Sequence, residues 1–252
     1  MVVVYSLSSP INWENGVVLS ANERLIVALD SSEANDLHLY SEVLATARLL
    51  SAYGVVVKLN TAIHACGYSI IEAVQNHCPV FADLKFVDTR DTIMRYARAI
   101  ELYKPRFLTV MSSLDDITVI KEIVGKDTIV LAVSVLTDMA DSDVREVYKT
   151  KHHTTVVRLS ERALRRGADG IIALPHDVAH LRKHFGDDLE IVCPGIRPLW
   201  YSGLSGHTRT MSPLKAIQQG ATRLIVGRPI TESGDIAQVI LKIIAEIDSA
   251  LT

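Results

Sequence analysis

The chain has 252 residues, 48% of them hydrophobic, enough to bury one large core and close to the usual length of an eight-stranded α/β barrel. A formal net charge of −3 and a sequence pI near 6.3 exclude the broad basic footprint of a protein that binds nucleic acid or an anionic membrane, so a charged ligand must be met locally. Cys66, Cys78 and Cys193 lack CxxC spacing, which excludes a zinc knuckle and reads as reduced thiols, while Met-Val-Val-Val-Tyr-Ser meets Asn12, Glu14 and Asn15 too soon for a signal peptide or membrane span; a cytoplasmic protein is expected.

Residues 1–23, punctuated by Ser-Ser-Pro and Asn-Gly, are predicted to be an irregular N-terminal extension to a catalytic domain over 24–252. From Arg24 the pattern becomes regular. Leu25 to Asp30 reads as a strand, Glu33 to Tyr53 as a helix, Val55 to Asn60 as a strand and His64 to His77 as a helix. Pro79 to Phe86 is a third strand, followed by a helix whose apolar face is Ile93, Met94, Ala97 and Ile100. Phe107 to Met111 is a fourth strand, Leu114 to Val124 a helix, and Thr128 to Leu136 a fifth strand. Met139 to His153 reads as a long connection with a short helical turn. It leads to a helix over Val156 to Arg166, stopped by Gly167, and a strand over Ala168 to Leu174. His176 to Phe185 is helical, Leu189 to Cys193 a strand, Ser212 to Gln219 a helix started by Pro213, Arg223 to Gly227 the last strand, and Asp235 to Leu251 the last helix. Strands alternating with helices, without an internal linker, predict a single (β/α)8 TIM barrel; a doubly wound sheet is the alternative.

The third strand breaks its own pattern. Val80, Phe81, Ala82, Leu84 and Phe86 form the apolar run of a strand covered on both faces, yet Asp83 and Lys85 interrupt it two residues apart, with Asp88 just beyond. Desolvating a charge costs several kcal/mol, so Asp, Lys and Asp at one strand end point to a catalytic site or an ion-pair network. Other strand ends agree: the first ends in Asp30, and the second carries Lys58 and Asn60 on one face. Pro194-Gly195-Ile196-Arg197-Pro198 follows the seventh strand and Gly227-Arg228-Pro229 the eighth, where barrels often hold phosphate with glycine for close approach and arginine as a fork of donors. A phosphorylated small-molecule substrate is expected. His176, His180 and His184 repeat every four residues, but Val178, Leu181 and Phe185 define the buried face of that helix, so the histidines fall on the solvent side and no metal site is predicted. Trp200, Tyr201, Gly203 and Gly206 read as a glycine-hinged lid over the phosphate site or, alternatively, as core packing of Trp200.

Asp83-Leu84-Lys85 with Asp88 and Thr92 resembles the Asp-x-Lys-x-x-Asp-x-x-x-Thr signature of the orotidine 5′-monophosphate decarboxylase family. Asp30, Lys58, Pro194 to Pro198 and Gly227-Arg228-Pro229 occur in the matching order, over roughly residues 24–245. The resemblance implies a cofactor-free, metal-free homodimer of β/α barrels acting on orotidine 5′-monophosphate, with Asp88 and Thr92 reaching into the partner's site. It makes Lys85 the proton donor and places Asp83 by the departing carboxylate. Asp30 and Lys58 would lie at the ribose hydroxyls, Thr137 at the pyrimidine, and Arg228 at the phosphate, with Arg197 and Gly227 in the adjoining loops. Two departures stand out: His207 replaces a glutamine that precedes the Met-Ser/Thr-Pro element, here Met211-Ser212-Pro213, in the bacterial branch, and Asp138 follows Thr137 where serine is common. Sister barrels that use magnesium on sugar phosphates, and a catalytically silent phosphate-binding barrel, are the alternatives. Lys58 speaks against the first, because those relatives tend to carry an acidic metal-binding group there, and the intact Asp83, Lys85 and Asp88 set against the second.

Overall fold

In the computed structural model, which describes residues 19–30, 36–203 and 209–252, eight short apolar runs become parallel strands that close on themselves in sequence order. They are β1 (Leu25–Ala28), β2 (Val56–Leu59), β3 (Val80–Phe86), β4 (Phe107–Met111), β5 (Ile129–Val133), β6 (Gly170–Ile172), β7 (Glu190–Cys193) and β8 (Arg223–Val226). Closure is made by β8 against β1, with Leu25 opposite Leu224 and Val27 opposite Val226. The helices are α1 (Asp36–Leu50), α2 (Thr61–Cys66), α3 (Ser69–Gln75), α4 (Arg90–Glu101), α5 (Ile117–Val124), α6 (Asp141–Tyr148), α7 (His152–Arg165), α8 (Val178–Phe185), α9 (Pro213–Gln218), α10 (Arg228–Thr231) and α11 (Ile236–Asp248).

Alternation along each strand makes two cores. Ile26, Val56, Phe81, Phe107, Leu131, Ile172, Val192 and Ile225 point into the barrel, while Leu25, Val57, Val80, Leu108, Val130, Ile171, Ile191 and Leu224 face the helices. Because both faces are covered, these strands lack the polar half of a solvated sheet. The lower end of the barrel is closed by a buried ion pair, Arg223 Nε to Glu190 Oε1 at 3.0 Å, with the Arg223 guanidinium 5.1 Å from the Phe107 ring. Gly170 is required beside it: a Cβ there would lie 2.7 Å from Glu190 Cβ.

Local chemistry explains where elements differ from expectation. The helix predicted over 64–77 is two helices, broken at Gly67, whose φ of 78 ends α2. The connection after β5 contains a full helix, α6, ended by Lys149 at φ 57. The segment after β8 turns at once into α10 rather than remaining a loop. Residues 1–18 of the predicted N-terminal extension lie outside the described residues. Among the described residues no helix is long and apolar enough to cross a membrane, and Cys66, Cys78 and Cys193 form no disulfide.

Candidate active site

The inward face of β2 carries Val56 and then Lys58; the inward face of β3 carries Phe81 and then Asp83. The apolar members of each pair fill the barrel, and the charged members sit one layer higher, toward the C-terminal ends. There the charges alternate. Lys58 Nζ lies 2.5 Å from Asp30 Oδ2 and 3.1 Å from Asp83 Oδ2, and Lys85 Nζ lies 2.9 Å from Asp83 Oδ1. Lys58 and Asp83 are buried, so each depends on the other for its charge. Burial alone would push the Lys58 ammonium toward neutrality, but Asp83 and Asp30 more than offset this and raise its pKa above the ordinary lysine value. Asp83 shows the mirror case: burial works against its charge, while Lys58, Lys85 and hydrogen bonds from Lys85 and Thr109 hold it below the ordinary carboxylate range.

Strict strand alternation does not deliver Lys85. Its φ is 48, in the left-handed region, and the β3–β4 register shifts between Ala82 and Phe86. Thr109 of β4 supports this irregular turn: its hydroxyl accepts the Lys85 N–H at 2.9 Å and donates to Asp83 Oδ1 at 2.9 Å. Asn60 closes the other side, donating its backbone N–H to Asp30 Oδ1 at 3.0 Å and its side-chain amide to the Asp83 carbonyl at 2.5 Å. Thr109 escaped the sequence reading. Its only signal is a lone hydroxyl in an otherwise apolar strand, Phe107-Leu108-Thr109-Val110-Met111.

These charges line a cavity of about 730 Å³ at the barrel mouth. Asp30, Lys58, Asp83, Lys85, Thr137, Arg197, Gly227 and Arg228 all line it, as does Asp138. Arg197 lies close enough to Arg228 that their mutual repulsion adds to burial in depressing the Arg197 pKa. Two cations so placed favour an anion between them. Gly195, at φ 77, lets the chain pass the Arg209 carbonyl, which a Cβ there would approach to 3.2 Å.

Asp88 and Thr92 lie apart from this cavity in the single chain. Asp88 is exposed; its Oδ1 accepts the Thr89 N–H at 2.7 Å and its Oδ2 the Tyr96 hydroxyl at 3.3 Å, and the Thr89 bond leads in lowering its pKa. Thr92 Oγ1 is 3.1 Å from Thr89 Oγ1. His207 lies outside the described residues. His176, His180 and His184 face solvent, and among the described residues no group of histidine, cysteine and carboxylate side chains could hold a metal. Trp200 is not core-packed: it is 43% exposed and donates to Glu246 Oε1 at 3.0 Å.

Residues 23–243 match the model of the orotidine 5'-phosphate decarboxylase / HUMPS family. A protein named orotidine 5'-phosphate decarboxylase from Haemophilus ducreyi is 38% identical over 178 residues, covering 67% of this chain and 76% of that protein. One of the same name from Caulobacter sp. (strain K31) is 31% identical over 232 residues, covering 91% of this chain and 99% of its own length. Among solved structures, orotidine 5'-phosphate decarboxylase from Lactobacillus acidophilus superposes with a TM-score of 0.74 at 28% identity, over 90% of this chain and 99% of that one.

Proposed function

The chain belongs to the orotidine 5'-phosphate decarboxylase / HUMPS family, and from that premise we propose that it decarboxylates orotidine 5'-phosphate to uridine 5'-phosphate (UMP) in pyrimidine synthesis. The observation that carries the reading is the Asp30–Lys58–Asp83–Lys85 charge chain in a cavity that Arg197 and Arg228 also line.

The reaction breaks the bond between C6 of the pyrimidine and its carboxylate, and the electron pair stays on C6 as carbon dioxide leaves. An in-plane carbanion of this kind gains little from the ring's π system, so it needs a nearby positive charge and a proton. Lys85 supplies both: its ammonium faces the developing charge and transfers a proton to C6, and the amine regains a proton from solvent. At about 4 Å and an effective dielectric near 20, one such charge pair is worth about 4 kcal/mol. Asp83 keeps Lys85 oriented and would set a fixed negative charge beside the substrate carboxylate, favouring its departure. Asp30 and Lys58 would hold the ribose hydroxyls, Thr137 the pyrimidine, and Arg197 and Arg228 the phosphate, whose remote binding energy holds the base against Lys85.

The proposal includes a cytoplasmic homodimer in which Asp88 and Thr92 complete the partner's site. Its support is that both residues lie outside their own chain's cavity, near an exposed Val87 and a partly exposed Tyr96. The magnesium-using alternative fits less well, because the carboxylates nearest a metal would already be committed to lysines, with Lys58 buried between Asp30 and Asp83. Ultraviolet monitoring of orotidine 5'-phosphate with purified protein tests the reading. Loss of the substrate band with formation of UMP is expected; an unchanged spectrum at high enzyme concentration rejects it.

A further inference from the structure

A second polar network crosses the top of the barrel outside the cavity. It starts at Asp177, in the turn after β6, which is buried yet holds two histidines from the first turn of α7: His152 Nε2 lies 3.0 Å from Oδ2 and His153 Nδ1 2.8 Å from Oδ1. On the other edge of the ring, His152 Nδ1 lies 3.4 Å from Arg209 Nη1 and 3.6 Å from Asp141 Oδ1. The same Nη1 is 3.2 Å from Asp141 Oδ1 at the start of α6, while Nη2 donates to the Met139 carbonyl. One guanidinium therefore joins the segment after β7 to the segment after β5, and the buried His152–Asp177 pair backs it.

Both joined segments are walls of the cavity. Met139 donates its N–H to the Leu136 carbonyl at 3.1 Å, and Leu136, Thr137 and Asp138 line the cavity. On the other side, Met211, two residues beyond Arg209, accepts the Arg197 N–H at 2.8 Å and donates to the Gly195 carbonyl at 3.3 Å. Gly195 and Arg197 line the cavity from there.

We propose that Arg209 is a positioning residue that fixes the separation of the Thr137 wall from the Arg197 wall, and so the span between the base and phosphate subsites. The inference rests on the functional reading above. A nucleotide must touch both walls at once, so a clamp between them raises its affinity by preorganisation, whereas a ligand confined to one wall gains nothing. Lysine cannot replace Arg209 fully, since one ammonium cannot reach Met139, Asp141 and His152 with the planar fork that now does so.

The test compares UMP, which spans both walls, with inorganic phosphate, which touches one, by titration calorimetry and competition on the full chain. Arg209→Ala should weaken UMP about tenfold and raise KM for orotidine 5'-phosphate similarly, with kcat altered far less, while phosphate binding stays within about twofold of wild type. Arg209→Lys should fall between. UMP binding at wild-type strength in Arg209→Ala, or equal weakening of UMP and phosphate, overturns the clamp. If Arg209→Ala does not fold, Asp141→Asn decides: Asp141 is largely exposed, so this variant keeps its melting temperature, and it should still weaken UMP about threefold. No change in that variant rejects the proposal. Wild-type protein that fails to bind UMP overturns the functional reading instead.

Discussion

Lys85 and Asp83 form a 2.9 Å ion pair from positions two apart on one strand, although Lys85 has left strand geometry at φ 48. The departure aims the ammonium into the cavity and is held by Thr109 rather than by the strand ladder. Lys85→Ala should lower kcat by about a thousandfold or more, the range for losing a positioned general acid. Its cost to stability should be small, about 1 kcal/mol, because Lys85 is partly exposed and Asp83 keeps Lys58. Lys85→Gly should be equally inactive but unfold at higher urea than Lys85→Ala, since glycine adopts this φ freely. An active Lys85→Ala would end the mechanism.

Lys58 should behave in the opposite way. It is the buried cation between two carboxylates, so Lys58→Met leaves Asp83 buried with only Lys85 and brings Asp30 into unscreened repulsion. We expect a loss of about 3 kcal/mol in urea unfolding, at the low end for a broken buried pair. Equal midpoints for Lys58→Met and Lys85→Ala would contradict this division of roles.

The same pair sets two edges on stability against pH. The folded Asp83 carboxyl lies below its ordinary 3.8, so its contribution is present above that value and is lost as pH falls through the folded value. The folded Lys58 ammonium lies above its ordinary 10.5, so its contribution is complete below that value and disappears as pH rises through the folded one. Urea unfolding across pH should show a plateau between these edges. In Lys58→Met the acid edge should move to higher pH and the alkaline edge should weaken; an unaltered profile argues against the coupling.

Turnover should survive exhaustive chelation. Asp30 and Asp83 are already neutralised by lysines, so neither offers the free carboxylate that a hard cation requires. Activity abolished by EDTA and restored by magnesium would transfer the chain to the sugar-phosphate reading.

Mixing inactive chains tests the shared site. Lys85→Ala and Asp88→Ala should each be nearly inactive alone, yet their heterodimer would contain one intact site and one doubly damaged site. After random exchange about a quarter of wild-type turnover should return, because half the dimers are mixed and half their sites are whole. Exchange verified by mass spectrometry without recovered activity would place Asp88 in its own chain's chemistry.

The sequence by itself determined the eight strand and helix repeats, because burial on both faces leaves a near-continuous apolar run that only a covered parallel strand needs. It also exposed Asp30, Lys58, Asp83 and Lys85, since a charge within or at the end of such a run carries a desolvation cost that its position in the local pattern makes visible. The break at Gly67, the bulge at Lys85 and the support from Thr109 were decided by the tertiary structure, as each depends on which strand lies beside which and in what register. The Asp177–His152–Arg209 clamp was equally invisible: its members come from segments after three different strands, and only barrel closure brings an arginine at 209 within reach of a carbonyl at 139. Local periodicity records how each residue is buried, whereas contacts between residues distant in the chain depend on the geometry of closure, which no single segment encodes.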